Sequence, residues 1–280
     1  METTHTMHPT HSYLEVLMRS PLWAIRADYP MQALLQAAKE NGREASNPTV
    51  TGSKGNKIAV IPVQGVLTKD GPSWYGSSYD NITRAAERAA KDPEIKHIIL
   101  AVDSPGGQVT GLPETAAVLS QIAQIKPIHA MVEGVAASAA YWLTSQASNI
   151  VLTPSGEVGS VGVRLMHADI SKMLDDQGVK VTELYSGDYK TEWSPFKPLS
   201  DAAKADMQQR IETTHNDFIA AVTAGRGVRA SSEAKAQRFG EGRLFSSNDA
   251  LRLGLVDSLQ RPGDYYRNVT PTAEPSTRFA

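Results

Sequence analysis

The chain has no cysteine among its 280 residues. Disulfides, thiolate metal sites and a cysteine nucleophile are therefore excluded. It also lacks an excess of either charge. Lys and Arg number 28 against 30 Asp and Glu, for a formal net charge of −2, which gives no electrostatic case for nucleic acid as a partner. No apolar run approaches the ~20 residues that span a bilayer. The opening stretch METTHTMHPTHSYLEVLMRS has no basic segment followed by an apolar one, so neither a secretory signal nor a membrane anchor is expected there. The glycines of GEVGSVG, at 156, 159 and 162, have the wrong spacing for a dinucleotide fingerprint, and there is no P-loop motif. What remains is a soluble chain, 41% hydrophobic, long enough for one large or two small domains.

The order of apolar and polar stretches divides the chain in three. Residues 1–56 read as an N-terminal helical segment and a linker. Helical spacing over 13–40 is broken by Pro21 and Pro30, and NGREASNPTVTGSKGN is polar and rich in Gly and Ser. His5, His8 and His11 recur every three residues but have no acidic partners, and read as part of a loose tail rather than a metal site. Residues 57–260 alternate strand-like and helical stretches. KIAVIPVQGVL, IKHIILAVDSPGG, PIHAMVEG, NIVLTP and VKVTELYSG predict strands; 80–91, 112–125 and 201–225 predict helices, the last capped by Ser200. The alternation predicts an α/β fold with mainly parallel strands. Residues 261–280 read as a flexible C-terminal tail.

Three segments carry candidate chemistry. GVAASAAYW sets one serine, Ser138, among alanines at the expected start of a helix. Nothing ties a histidine to it: His97 and His129 fall inside expected strands. Lys190, in YSGDYKTEWSP, is the other candidate base. A lysine must drop from about 10.4 to about 7–8 to accept a proton near neutrality, which burial achieves; by itself Lys190 reads as a surface lysine. DSPGG, residues 103–107, ends an expected strand. Its glycines allow close approach of a ligand backbone, with amides free to hold an oxyanion or pair with an extended peptide. They serve a tight turn equally well.

Taken in order, DSPGG, GVAASAAYW, GSVGV and SGDYKTEWSP resemble the signal peptide peptidase A family of serine peptidases, and the likeness extends through GRLFSSNDALRLGLVDSL, over about residues 57–260. The resemblance implies a fold shared with Clp proteases and crotonases, built of repeated ββα units. It implies a Ser–Lys dyad, with Ser138 as nucleophile and Lys190 as general base. Ser160 would hydrogen-bond the lysine. Gly107 and the Ala139 amide would form the oxyanion hole, with Gly106 beside them as a candidate for the same role. No metal or cofactor is implied. Ala139 and Ala140 stand where many members have glycine. Without an anchor, the chain is most similar to phage and prophage members that mature capsids, a group SPLWAI also resembles. The implied substrates are scaffold or capsid precursor proteins, in the bacterial cytoplasm or inside a procapsid. The implied assembly is a homo-oligomer, in which some relatives complete the dyad across a subunit boundary. The alternatives are a general peptide-degrading enzyme of the same family, a crotonase-type acyl-CoA enzyme, and a non-catalytic ring protein.

Overall fold

A strand buried on both faces is apolar at nearly every position, and the two longest apolar runs form the centre of the sheet. The computed structural model describes residues 22–25, 47–70 and 76–269. Within them ten strands make one sheet. In chain order these are β1 (Leu22–Ile25), β2 (Thr49–Ser53), β3 (Asn56–Leu67), β4 (Ile95–Gln108), β5 (Ile128–Ala137), β6 (Asn149–Leu152), β7 (Glu157–Gly159), β8 (Arg164–Leu165), β9 (Leu244–Ser246) and β10 (Ser258–Leu259). The helices are α1 (Tyr79–Lys91), α2 (Leu112–Ala123), α3 (Ala139–Thr144), α4 (Ser171–Asp176), α5 (Asp201–Arg226), α6 (Ser232–Ala236), α7 (Ser247–Arg252) and α8 (Pro262–Val269). Strands β3, β4, β5, β6 and β10 are parallel neighbours, and β7 runs parallel to the end of β5. The antiparallel pairs lie at the margins: β2 on β3, β9 on β7, and β1 between β4 and β8. The fold is thus α/β with a mainly parallel sheet, as the alternation predicts.

Successive residues of β4 feed opposite faces. Ile98, Leu100 and Val102 pack with Ile82, Ala85 and Ala86 of α1 and with Ala116, Leu119 and Ile122 of α2. Ile99 joins Ile58, Met131 and Val151 on the other face, under Tyr265 of α8. Each such side chain contributes about 1.5–3 kcal/mol by leaving water. Caps fix where helices begin. Ser78 Oγ accepts from the Asn81 amide at 3.3 Å, and Ser200 Oγ from the Ala203 amide at 3.1 Å. The 26-residue α5 ends on Arg226, which is fully buried. Its guanidinium donates to both carboxylate oxygens of Asp257, at 2.7 and 3.1 Å, and to the Gly254 carbonyl at 3.0 Å. The Asp257 carboxylate also accepts from the Ile150 amide at 2.7 Å. This ties the helix end to the β6–β10 margin.

The structure departs from the sequence expectations at several points. The N-terminal 56 residues are not merely helix and linker: β1 and β2 come from them and join the sheet. Much of the expected helical stretch 13–40, like His5, His8 and His11, lies outside the described residues. The chain beyond 260 is not all loose, since α8 closes the second face of the sheet. DSPGG is not a turn. β4 stays extended through it to Gln108, with a register shift beside Ser104. Finally, VKVTELYSG forms no strand. Its alternation suits a pleated surface, but no described strand lies alongside to pair with it.

Candidate active site

β5 ends at Ala137 and α3 begins at Ala139, so Ser138 is the single residue at the corner. It has φ 54 and ψ −121, a backbone conformation that costs a side-chain-bearing residue about 1–3 kcal/mol and persists only where its surroundings impose it. The surroundings are small and tight. Ala136, Ala137, Ala139 and Ala140 are all fully buried, and the Ser138 amide donates to the Gly159 carbonyl at 2.7 Å. The strand–serine–helix corner is sharp and strained, and it is reached without glycines on either side of the serine. The residues around Ser138 are small because larger ones would not fit a corner this sharp.

Two further segments converge on Ser138. β7 pairs with the end of β5, Gly159 opposite Ala137, so the loop after it passes beside the serine. Ser160 in that loop has φ 54, and its amide donates to the Arg243 carbonyl at 2.6 Å. The Ser138 hydroxyl donates to the Gly162 carbonyl at 3.3 Å. On the other side lies Gly106. A Cβ there would meet the Ser138 Cβ at 3.0 Å and the Ala137 carbonyl at 2.9 Å. At Gly107 it would meet the Leu67 carbonyl at 1.9 Å. Both glycines are therefore demanded by close approach. The Gly106 amide is already engaged, donating to Ser104 Oγ at 3.1 Å, while Ser104 Oγ donates to the Gly65 carbonyl at 2.7 Å. Sequence reasoning did not single out Ser104; its total burial inside a polar motif is the signal that finds it. Asp103 braces the backbone as well. Its carboxylate accepts from the Val135 amide at 3.1 Å, where β5 bends away toward the corner.

The structure therefore brings together Ser138, Ser160, Gly106, Gly107 and Ala139. It does not bring Lys190 to them. Lys190 lies exposed in a turn whose amide donates to the Gly187 carbonyl at 3.0 Å. The aromatic residues beside it in sequence, Tyr189 and Trp193, do not bury it. Trp193 lies 4.8 Å beneath the Arg210 guanidinium, and Tyr189 is 77% exposed. Most of the stretch from Met166 to Phe196 is exposed, with Ser194 buried and Ile170, Leu174 and Trp193 partly so. Met173, Val179, Val181, Leu184 and Tyr185 are exposed, Leu184 to 93%.

No described histidine bonds to Ser138. His97 and His129 sit edge to face, 5.5 Å apart, at the starts of β4 and β5. The length of β5, ten residues or about 30 Å, separates them from the corner. Burial, and then the neighbouring His97, hold the His129 imidazole below its usual range. His167 contacts the Ser194 carbonyl at 2.9 Å instead. Among the described residues no group of acidic and histidine side chains is placed to hold a metal ion, and no helix is long and apolar enough to cross a membrane.

Comparison with known proteins bears on this corner. The capsid assembly protease C of Escherichia phage lambda is 32% identical over 213 residues, covering 75% of this chain and 48% of that protein. The head-tail preconnector protein GP5 of Enterobacteria phage P21 is 31% identical over 213 residues, covering 75% of this chain and 42% of that protein. The chain thus spans about half the length of the curated relatives it matches. Among solved structures, a membrane-bound stomatin-specific protease in complex with a substrate peptide aligns at a TM-score of 0.46 and 16% identity, over 76% of this chain and 82% of that one. Residues 120–273, which contain Ser138, Ser160 and Lys190, match the model of peptidase family S49, and the chain belongs to that family.

Proposed function

We propose that this chain is a serine endopeptidase whose nucleophile is Ser138 and whose general base, Lys190, arrives from a second copy of the chain. The observation that carries the reading is the contrast between Ser138, held at a strained corner of the sheet, and Lys190, standing free on a segment with its apolar side chains turned outward. A closed homo-oligomer would cover that segment and bring the lysine beside Ser160 of its neighbour. There the Ser160 hydroxyl would orient the amine.

The chemistry follows in two halves. Ser138 Oγ attacks the carbonyl carbon of the scissile peptide as its proton passes to the neutral Lys190 amine. The amides of Gly107 and Ala139 receive the developing oxyanion. Gly106, its amide already bonded to Ser104, contributes bare backbone rather than a donor. The tetrahedral species collapses, Lys190 returns the proton to the leaving amine, and an acyl ester remains on Ser138. Water then attacks the ester with Lys190 again as base, and the serine is regenerated.

The likeness to two phage head proteins supports capsid or scaffold precursors as the substrates. The test is incubation of the purified chain with candidate scaffold and capsid precursors, the fragments being identified by mass spectrometry. Discrete cleavage that Ser138→Ala abolishes is the expected result. Failure of a serine-reactive phosphonate to label Ser138 would remove the reading.

A further inference from the structure

Four residues distant from the site in sequence lie inside it. β1 runs antiparallel to the end of β4, with Ala24 opposite Gly107 and Ile25 opposite Gly106. Its other edge runs antiparallel to β8, with Trp23 opposite Arg164. β4 carries the DSPGG run, and β8 follows the loop that flanks Ser138. A short strand held on both edges beside a nucleophile has the posture of a peptide added to a sheet. The Ala24 carbonyl oxygen lies 2.3 Å, and the Ser138 Cβ 3.0 Å, from the point where Gly106 would carry a Cβ. Both therefore press on the same bare backbone. Trp23, Ala24 and Ile25 are buried, and Ser138 keeps 1% of its exposure.

One feature distinguishes β1 from a fixed wall of the site. The Trp23 indole N–H is buried with no acceptor among the described residues, a group that a permanently built element normally satisfies.

We propose that residues 22–25 are a built-in, substrate-like strand that fills the peptide groove at rest and is displaced by the segment to be cut. The proposal rests on the peptidase reading above, and it adds a substrate class: an extended apolar segment with a small residue in the place of Ala24. The strand withholds Ser138 from peptides that cannot compete with it.

The absence of native cysteine makes a direct test available. Directly opposed residues of antiparallel strands have Cβ atoms about 4.5–5.5 Å apart, close to disulfide reach. In the full-length variant Trp23→Cys/Arg164→Cys, oxidation locks β1 in place and reduction frees it. The probe is a fluorescein-labelled peptide, SPLWAIRA, read by anisotropy for binding and by mass spectrometry for cleavage. A tethered competitor acts at an effective concentration near millimolar. The reduced variant is therefore expected to bind the probe roughly tenfold more tightly than the parent chain, and the oxidised variant not to bind it. Trp23→Ala, which introduces no thiol, should show the same tightening. Equal binding by oxidised and reduced forms overturns the proposal. So does failure of the disulfide to form, or loss of binding in Trp23→Ala. A reduced variant that binds the probe but neither cuts it nor reacts with a serine-directed phosphonate would uphold the occupancy and remove the peptidase reading, so the two failures are distinct.

Discussion

The corner at Ser138 and the segment at Lys190 belong to the same chain but are built by different rules. Around Ser138 almost every atom is specified by neighbours within the chain: four buried alanines, two glycines that tolerate no Cβ, and carbonyls that claim the serine amide and hydroxyl. Around Lys190 the side chains find little to pack on, and apolar residues face water. The first region is complete in one copy. The second exposes apolar side chains that, under the proposed reading, a second copy would cover. Under the proposed reading a nucleophile is held before substrate arrives, whereas a base supplied by a second copy is in place only once assembly has occurred. Activity would then depend on concentration.

The largest expected effect tests that division directly. Ser138→Ala and Lys190→Ala should each lower the rate of peptide cleavage on the order of 10⁴-fold or more, and the double variant should be little worse, since the pair acts as a unit. Mixing the two inactive single variants should restore part of the activity, because some interfaces then join an intact serine to an intact lysine. No rescue on mixing, measured with a fluorogenic peptide, would place both groups within one chain.

Inside the serine-bearing region, the Arg226–Asp257 pair should be the costliest place to cut. Arg226→Ala leaves the half-buried Asp257 carboxylate with only the Ile150 amide and the Arg229 guanidinium, 3.9 Å away, at about 3–5 kcal/mol by denaturant titration. Burial by itself raises the Asp257 pKa, but the Arg226 hydrogen bonds and charge, with the Ile150 amide, outweigh it and hold the carboxyl below its ordinary 3.8. A carboxylate depressed in the folded state stabilises fully above the unfolded value and loses that contribution as pH falls through the folded one. The cost of Arg226→Ala should therefore be greatest near neutral pH and shrink as pH falls through the range in which Asp257 takes up its proton in the parent chain. Leu100→Ala, deep under α1 and α2, should cost about 2–5 kcal/mol.

Smaller effects sharpen the contrast. Ser138→Gly should be inactive yet more stable than Ser138→Ala by about 1 kcal/mol, as glycine relieves the positive φ. Leu184→Ala should change the unfolding free energy of the single chain by no more than about 0.5 kcal/mol. In sedimentation it should nevertheless weaken self-association. A Leu184→Ala chain that assembles as well as its parent would show that the exposed segment serves something other than a second copy.

The same contrast explains what could be read from the sequence. The centre of the sheet was legible because burial on both faces leaves no choice but continuous apolar residues, as in Ile98–Val102. α5 was legible from Ser200, whose hydroxyl has no better acceptor role than the first turn of a helix. Ser138, Ser160 and the two glycines were legible as a set only through ordered motifs. Their spacing is fixed by β5 and β7 lying side by side, which no single motif reveals. The 179–187 stretch misled because alternation reports that a chain will be covered on one side without saying by what. β1 misled for the reverse reason. Four residues are too few to show a period, and the edges that hold them, at Gly106–Gln108 and Arg164–Leu165, lie far along the chain. DSPGG read as a turn because glycine permits one, whereas here it clears room for a neighbouring backbone.

Under the proposed reading α8 has a further consequence. Tyr265 covers Ile58, Ile99, Met131 and Val151, and the Tyr266 hydroxyl donates to Glu133 at 2.8 Å, fastening the helix across the back of the sheet. Scission beyond Val269 leaves that lid in place. Scission before Pro262 strips it and opens a greasy band across the middle strands, an invitation to clumping and to destruction by other proteases. The two turns of α8 thus separate harmless trimming from loss of that cover, and under the proposed reading any cut toward the C-terminal end has its limit at the ring of Tyr265.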